Sequence, residues 1–343
     1  MRHNSRQDRT GRRMRRLAQG GCLVVGAILL SLVVPATSHA ASRDGHPAEP
    51  TARAIGPAWK APTTGPERMV PSDLDGRSPS VDVPLPPGWT STVRYVQSGS
   101  LLRDYVLVRP VGSATGPLPV LVVLHGRGMT PAGIARISNF PSVVGRAVVV
   151  YPAGYGWSWN AGGCCGSAHT AGIGDVSFLT AVVHDVVAMV PGTSDRAVYL
   201  VGFSNGGRMA YRMACADPAL FAGVAAVEAV PVRPCDQSHP VSLAIVAYRN
   251  DPLLSISGTQ PVRVVKGMVE PRVEEVVGRW LQNDGCTGNP SVRQIGTATV
   301  STWSACRDGT RVQFDLYAGG SHHWPTGAST TPSASEVIWK FFH

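Results

Sequence analysis

The sequence predicts an α/β fold: a mostly parallel sheet with an antiparallel opening hairpin and helices on both faces. Two apolar runs without polar alternation, Leu118–Leu124 and Ala147–Tyr151, suit strands buried on both sides. Further runs of the same kind alternate with helical stretches, which is the order a parallel sheet requires. Two short strands precede the first run, Thr92–Gln97 and Arg103–Arg109, close enough in sequence to pair as a hairpin.

Taken in order, residues 1–40 stand apart from that fold. Seven arginines crowd the stretch from Arg2 to Arg16, an apolar segment follows from Cys22, and small residues end at Ser38-His39-Ala40. Basic, apolar and small-residue segments in that order mark a secretory signal peptide, cut after Ala40 or Ala41, so the mature protein is expected to be extracellular. The alternative, an uncleaved membrane anchor, needs about 20 apolar residues, and the run falls short. Arg12-Arg13 also permits twin-arginine export. Residues 41–87 are rich in Pro, Ala, Gly, Ser and Thr, cannot bury enough surface to offset chain entropy, and are expected to be a disordered linker. Residues 88–343 are ample for one α/β domain. After the hairpin and the two apolar runs, Asp175–Val190 reads as a strongly apolar helix with Asp175 placed to cap it. Ala197–Gly202 and Val241–Tyr248 read as buried strands, and Arg311–Tyr317 as the last strand. Glu336–Phe342 closes the chain as a helix that turns Ile338, Trp339, Phe341 and Phe342 to the core.

The whole chain carries +9, but the leader holds seven Arg and one Asp, which leaves about +3 for the mature protein. So small an excess gives no ground for a nucleic-acid partner. No stable membrane insertion of the mature protein is expected, and a monomer is. Six cysteines remain after the leader: Cys164, Cys165, Cys215, Cys235, Cys286 and Cys306. An even count in an exported chain reads as disulfides, and the repeated C-x-x-C or nearby His spacing of zinc sites is missing. Cys286–Cys306 and Cys215–Cys235 each close a short loop and are the favoured pairs. Cys164 and Cys165 are then either bonded to each other or free.

The chemistry is carried by Gly202-Phe203-Ser204-Asn205-Gly206, directly after the strand Val198-Tyr199-Leu200-Val201. Glycines on either side of a serine permit a tight strand-to-helix turn that lifts the hydroxyl above the sheet edge. The helix that must follow is supplied by Gly207–Ala214, and its N-terminus favours a developing oxyanion. An idle serine in a glycine-rich turn is the bland reading. A serine nucleophile needs a base late in the chain, where His239, His322, His323 and His343 remain. His322 is the favoured base, since it sits in a glycine-bearing loop just past the last strand; His323 is the competitor. Asp251 falls at the C-terminal end of Val241–Tyr248 and is the favoured acid over Asp236 and Asp284. The loop His125-Gly126-Arg127-Gly128 follows the strand ending at Leu124, so the oxyanion donors are expected to be the N–H groups of Arg127 and Asn205, with His125 structural. No metal and no organic cofactor is required by this scheme. Trp159 and Trp324, with Trp157, lie on loops at the same end of the sheet and are candidate substrate contacts.

Together, Leu124-His125-Gly126, Tyr151-Pro152-Ala153-Gly154, Ser158-Trp159-Asn160, the elbow from Gly202 to Gly207, Asp251-Pro252 and Gly319-Gly320-Ser321-His322-His323-Trp324-Pro325 resemble the polyhydroxybutyrate depolymerase and feruloyl esterase group. That group belongs to the carbohydrate-esterase branch of the α/β-hydrolases, and the likeness spans nearly all of residues 90–343. Trp159–Gly166 looks especially like secreted actinobacterial members. The resemblance implies an α/β-hydrolase fold and a Ser-His-Asp triad. It also implies a small-molecule or polymeric ester as substrate: hydroxybutyrate oligomers, or feruloyl and acetyl esters of polysaccharide. Two departures bear on the acyl pocket. Ala247-Tyr248-Arg249-Asn250 stands where the group has a His-Gly pair and small residues, and Ser321 stands where the base is usually preceded by glycine. Two other classes share the motif set: a cell-envelope acyltransferase that excludes water, and a catalytically silent binding protein.

Overall fold

The computed structural model describes residue 83 and residues 85–343, apart from 113–115, 236–238, 262 and 266. The leader, most of the linker and Asp236 lie outside the described residues. The order is β1 (Trp89–Ser98), β2 (Leu101–Pro110), β3 (Leu118–Leu124), α1 (Pro131–Ser138), β4 (Val148–Pro152), α2 (Gly166–Thr170), α3 (Asp175–Met189), β5 (Thr193–Phe203) and α4 (Asn205–Ala216). It continues through β6 (Gly223–Val227), β7 (Ser242–Tyr248), β8 (Val264–Val265), β9 (Met268–Val269), α5 (Val273–Asn283), β10 (Ser291–Ile295), β11 (Ala298–Trp303), β12 (Val312–Tyr317) and α6 (Ala334–Phe342).

Ten strands form one sheet in the order β1-β2-β4-β3-β5-β6-β7-β12-β11-β10. The centre, from β4 to β12, is parallel throughout. The opening hairpin β1–β2 joins β4 antiparallel at one side. A second antiparallel hairpin, β10–β11, closes the other side against β12 and is not apparent from the sequence. Its outer strand, Ser291–Ile295, is exposed along nearly its whole length, so no apolar run announces it. The short strand β6 is also missed, because Gly-Val-Ala-Ala-Val is fully buried yet small and brief.

Side-chain alternation divides the interior into two cores, one on each face of the sheet. Val120, Val122 and Leu124 enter one core with residues of α3, α4 and α5. Leu121 and Val123 enter the other with residues of α1 and α6. Each fully buried Val or Leu contributes about 1.5–3 kcal/mol to this framework, which fixes the strand ends that carry the polar groups. The second core takes in Val83 and Leu85, a few residues before Gly88.

Two helix ends differ from the sequence-based expectation. α3 begins at Asp175, but Gly174 is the cap position, and the Asp175 carboxylate is turned inward. It accepts from Arg103 Nη1 at 2.6 Å and from Asn160 N at 2.7 Å. A buried guanidinium one strand away outcompetes the local capping bond. α6 starts at Ala334, two residues before Glu336, because Ser333 Oγ accepts from Glu336 N and Glu336 Oε2 accepts from Ser333 N. Ile338, Phe341 and Phe342 are buried as expected, and Trp339 is half-buried against the same core. The cysteines pair as Cys215–Cys235, Cys286–Cys306 and Cys164–Cys165.

Candidate active site

The parallel strands β3, β5, β6, β7 and β12 lie side by side, so their C-terminal ends share one edge of the sheet. The segments after them bring His125, Ser204, Glu228, Asp251 and His322 to that edge. Ser204 links β5 to α4 with φ 53° and ψ −115°, a region L-residues rarely adopt. The turn is possible only because its flanks lack side chains: a Cβ on Gly202 would lie 2.1 Å from Gly206 O, and one on Gly206 would lie 2.6 Å from Leu124 O. Ser204 N–H donates to Val227 O at 2.9 Å, which ties the turn to β6.

His322 Nε2 lies 2.8 Å from Ser204 Oγ, and its Nδ1 lies 2.7 Å from Asp251 Oδ2. A carboxylate only accepts, so Nδ1 carries the hydrogen and Nε2 is left to accept from the hydroxyl. Asp251 is 3 % exposed, and its Oδ1 accepts from Leu253 N at 2.6 Å. Burial alone would push this carboxyl up; hydrogen bonds with His322, Glu228 and Leu253 N–H outweigh it and hold Asp251 below the usual carboxylate range. His323, the competing histidine, points away and packs on the Tyr248 ring at 4.7 Å between centroids.

Glu228 is the residue that sequence reasoning missed. It follows β6 as Asp251 follows β7, is 1 % exposed and has φ 49°. Its Oε1 accepts from Tyr248 N at 2.7 Å, while Oε2 has no N–H or ordinary hydroxyl donor. Burial first, and then the neighbouring Asp251, push its carboxyl up to about 11. An acidic residue at the end of a buried strand beside the serine strand was the available signal, but β6 had to be seen first.

His125 is fully buried; its Nδ1–H donates to Gly126 O, and Nε2 accepts from Gly154 N, both at 2.9 Å. Burial pushes it down to about 4, so it stays a neutral brace. The expected oxyanion donors, Arg127 N–H and Asn205 N–H, donate to no other protein group among the described residues. Their segments are held by the loop after β4. Asn205 Oδ1 accepts from Trp159 N at 2.7 Å, and Asn205 Nδ2 donates to Trp159 O at 3.0 Å. Gly128 N donates to Trp157 O at 2.7 Å.

Trp159 and Trp324, expected as substrate contacts, are corrected by this arrangement. They are 0 % and 1 % exposed. Trp159 Nε1 donates to His125 O, and Trp324 Nε1 donates to Ser335 Oγ. An indole that fills the core and spends its N–H on an internal acceptor leaves no face for a ligand. A pocket does open nearby, lined by Arg127, the Cys164–Cys165 pair, Val232, Met268 and the Arg208–Glu270 ion pair. Arg127 bears one expected oxyanion N–H, and Arg208 N donates to Ser204 O, so the pocket adjoins the serine.

Among the described residues, Glu228, Asp251 and His322 are the group whose donor atoms converge, within 4.8 Å of one another. His322 spends both ring nitrogens on Asp251 and Ser204, which leaves the group poorly suited to ligating an ion.

No family model matches the sequence. The chain is 30% identical over 313 residues to a putative esterase, NocK, of Nocardia uniformis subsp. tsuyamanensis, across 85% of this chain and 88% of that protein. It is 27% identical over 256 residues to feruloyl esterase C of Emericella nidulans, across 70% and 83%. An acetyl xylan esterase from Aspergillus awamori superposes with a TM-score of 0.52 at 15% identity, covering 73% of this chain and 98% of that one, and so shares the fold.

Proposed function

The chain belongs to the feruloyl esterase-like family of α/β-hydrolases and is a carboxylic ester hydrolase; from that premise we propose that Ser204, His322 and Asp251 are its catalytic triad. The observation that carries the reading is the unbroken chain from Ser204 Oγ through both His322 nitrogens to Asp251 Oδ2, set on a turn with positive φ. His322 Nε2 takes the Ser204 proton as the hydroxyl attacks the ester carbonyl. Asp251 holds the tautomer and stabilises the imidazolium without taking the proton. The tetrahedral oxyanion rests on the N–H groups of Arg127 and Asn205; losing one such donor costs about 2.7–4 kcal/mol of transition-state stabilisation. His322 then protonates the leaving alcohol, and water opens the acyl-enzyme by the reverse sequence.

The substrates in view are feruloyl or acetyl esters of polysaccharide and hydroxybutyrate oligomers. Feruloyl and acetyl esters are supported by the names of the similar proteins, and hydroxybutyrate by the sequence resemblance alone. Export fits the three disulfides and the leader-like residues 1–40, and no described helix is long and apolar enough to cross a membrane. The test is hydrolysis of methyl ferulate, acetylated xylan and a hydroxybutyrate oligomer by the mature protein, with Ser204→Ala as the blank. Turnover of at least one ester that vanishes with Ser204→Ala is expected. Turnover that survives the substitution overturns the assignment.

A further inference from the structure

Two buried carboxyl groups face each other behind His322, and the triad uses only one of them. Glu228 Oε1 is engaged by Tyr248 N–H, whereas Oε2 has no donor, and a carboxylate oxygen of Glu228 lies within 4.8 Å of one of Asp251. Two carboxylates cannot both stay ionised at such a distance in a dry site, so a proton must lie between them. Asp251 already receives His322 Nδ1–H and Leu253 N–H, both of which favour its charged form. Glu228 receives a single backbone N–H, so the proton belongs to Glu228. Its backbone is held at φ 49°, a conformation that costs free energy in a non-glycine residue and aims the carboxyl inward from the end of β6.

We propose that Glu228 is a positioning residue that stays a neutral carboxylic acid and donates its Oε2 hydrogen to Asp251, fixing the Asp251 carboxylate on His322 Nδ1. The inference rests on the reading of Asp251 as the triad acid. The charged and titratable groups facing Glu228 are Asp251, His322 beyond it, and the Tyr248 hydroxyl, whose ring packs on His323. A neutral Glu228 leaves the site with one negative charge paired to the imidazolium that forms in catalysis. An ionised Glu228 would leave two.

Glutamine reproduces the proposed state, with an oxygen for Tyr248 N–H and an N–H for Asp251. The experiment compares Glu228→Gln, Glu228→Leu and Asp251→Asn in the mature protein, reading kcat/KM for p-nitrophenyl acetate against pH, with far-UV circular dichroism melts to check folding. Glu228→Gln is expected to keep kcat/KM within about threefold of wild type, with the acidic limb unmoved, while Glu228→Leu loses about tenfold or more, the worth of a hydrogen bond to a charged group. If Glu228 instead carried a charge, Glu228→Gln would remove it from beside the base and pull the acidic limb down by about one pH unit or more, overturning the proposal. Wild-type kcat/KM in a folded Glu228→Leu overturns it too. Should Glu228→Leu not fold, the Glu228→Gln profile decides alone. An active Asp251→Asn beside an inactive Glu228→Gln would show that the triad acid itself had been misassigned.

Discussion

Ser204 and Glu228 directly follow neighbouring parallel strands, both with positive φ, and bring polar groups to the His322–Asp251 pair. Of the two adjacent histidines, His322 and not His323 reaches Ser204 Oγ. His322→Ala is expected to lower kcat/KM by about a thousandfold or more, since the proposed general base is lost. His323→Ala removes a ring that packs on Tyr248 and should stay within about threefold. Steady-state hydrolysis of p-nitrophenyl acetate by both variants reads the difference. Ser204, His322 and Asp251 were each legible in the sequence, because the turn glycines, the position past the last strand and the end of β7 are local signals. The choice between His322 and His323 rests on ring orientation, which no local pattern encodes. Glu228 was not legible, since its meaning depends on a burial and a partner that only the assembled sheet supplies.

The elements that hold the site are the strand ends and the long loop after β4. Trp159 gives both backbone groups to the Asn205 side chain and its indole N–H to His125 O, so one residue braces the two segments expected to donate to the oxyanion. Asn205→Ala keeps the backbone N–H but strands Trp159 N in a buried setting, at about 1–3 kcal/mol, while Trp159 O keeps the bond from Cys165 N. A lower melting temperature and a fall in kcat/KM are expected together. Unchanged stability would show that water replaces the lost partners. Aromatic loop residues near a catalytic edge invite the substrate reading that the sequence suggested for Trp159 and Trp324. Forty-six residues separate Trp159 from Asn205, and a side-chain bond over that span has no sequence signature. The central strands were legible for the opposite reason, as continuous apolar runs. The exposed strand β10 and the short β6 lacked that signal.

Among the described residues, two cores flank the ten-stranded sheet, and the site is built where the charged groups of its edge are shielded by both. Shielding has a pH signature through Glu228. Its carboxyl titrates at an ordinary 4.5 in the unfolded chain and is pushed up to about 11 in the folded one by burial and by Asp251. Below pH 4.5 both states hold the proton. Above it only the folded state does, so this group's contribution falls as pH rises, by about 1.4 kcal/mol per pH unit, until the folded carboxyl also ionises. Glu228→Gln needs no proton and is expected to be more stable than wild type by about 3 kcal/mol at pH 7, with the difference narrowing toward acid. Urea unfolding of both proteins at several pH values measures it; a difference that does not change with pH contradicts a neutral buried acid.

Ser204 is proposed as the nucleophile and His322 as its base. Labelling of the mature protein by a fluorophosphonate, with the adduct mapped by tandem mass spectrometry and its rate followed in wild type and His322→Ala, tests it most directly. A single adduct on Ser204, formed at least about a hundredfold more slowly without His322, is the result predicted. An adduct on another residue, or the same labelling rate in His322→Ala, would contradict it.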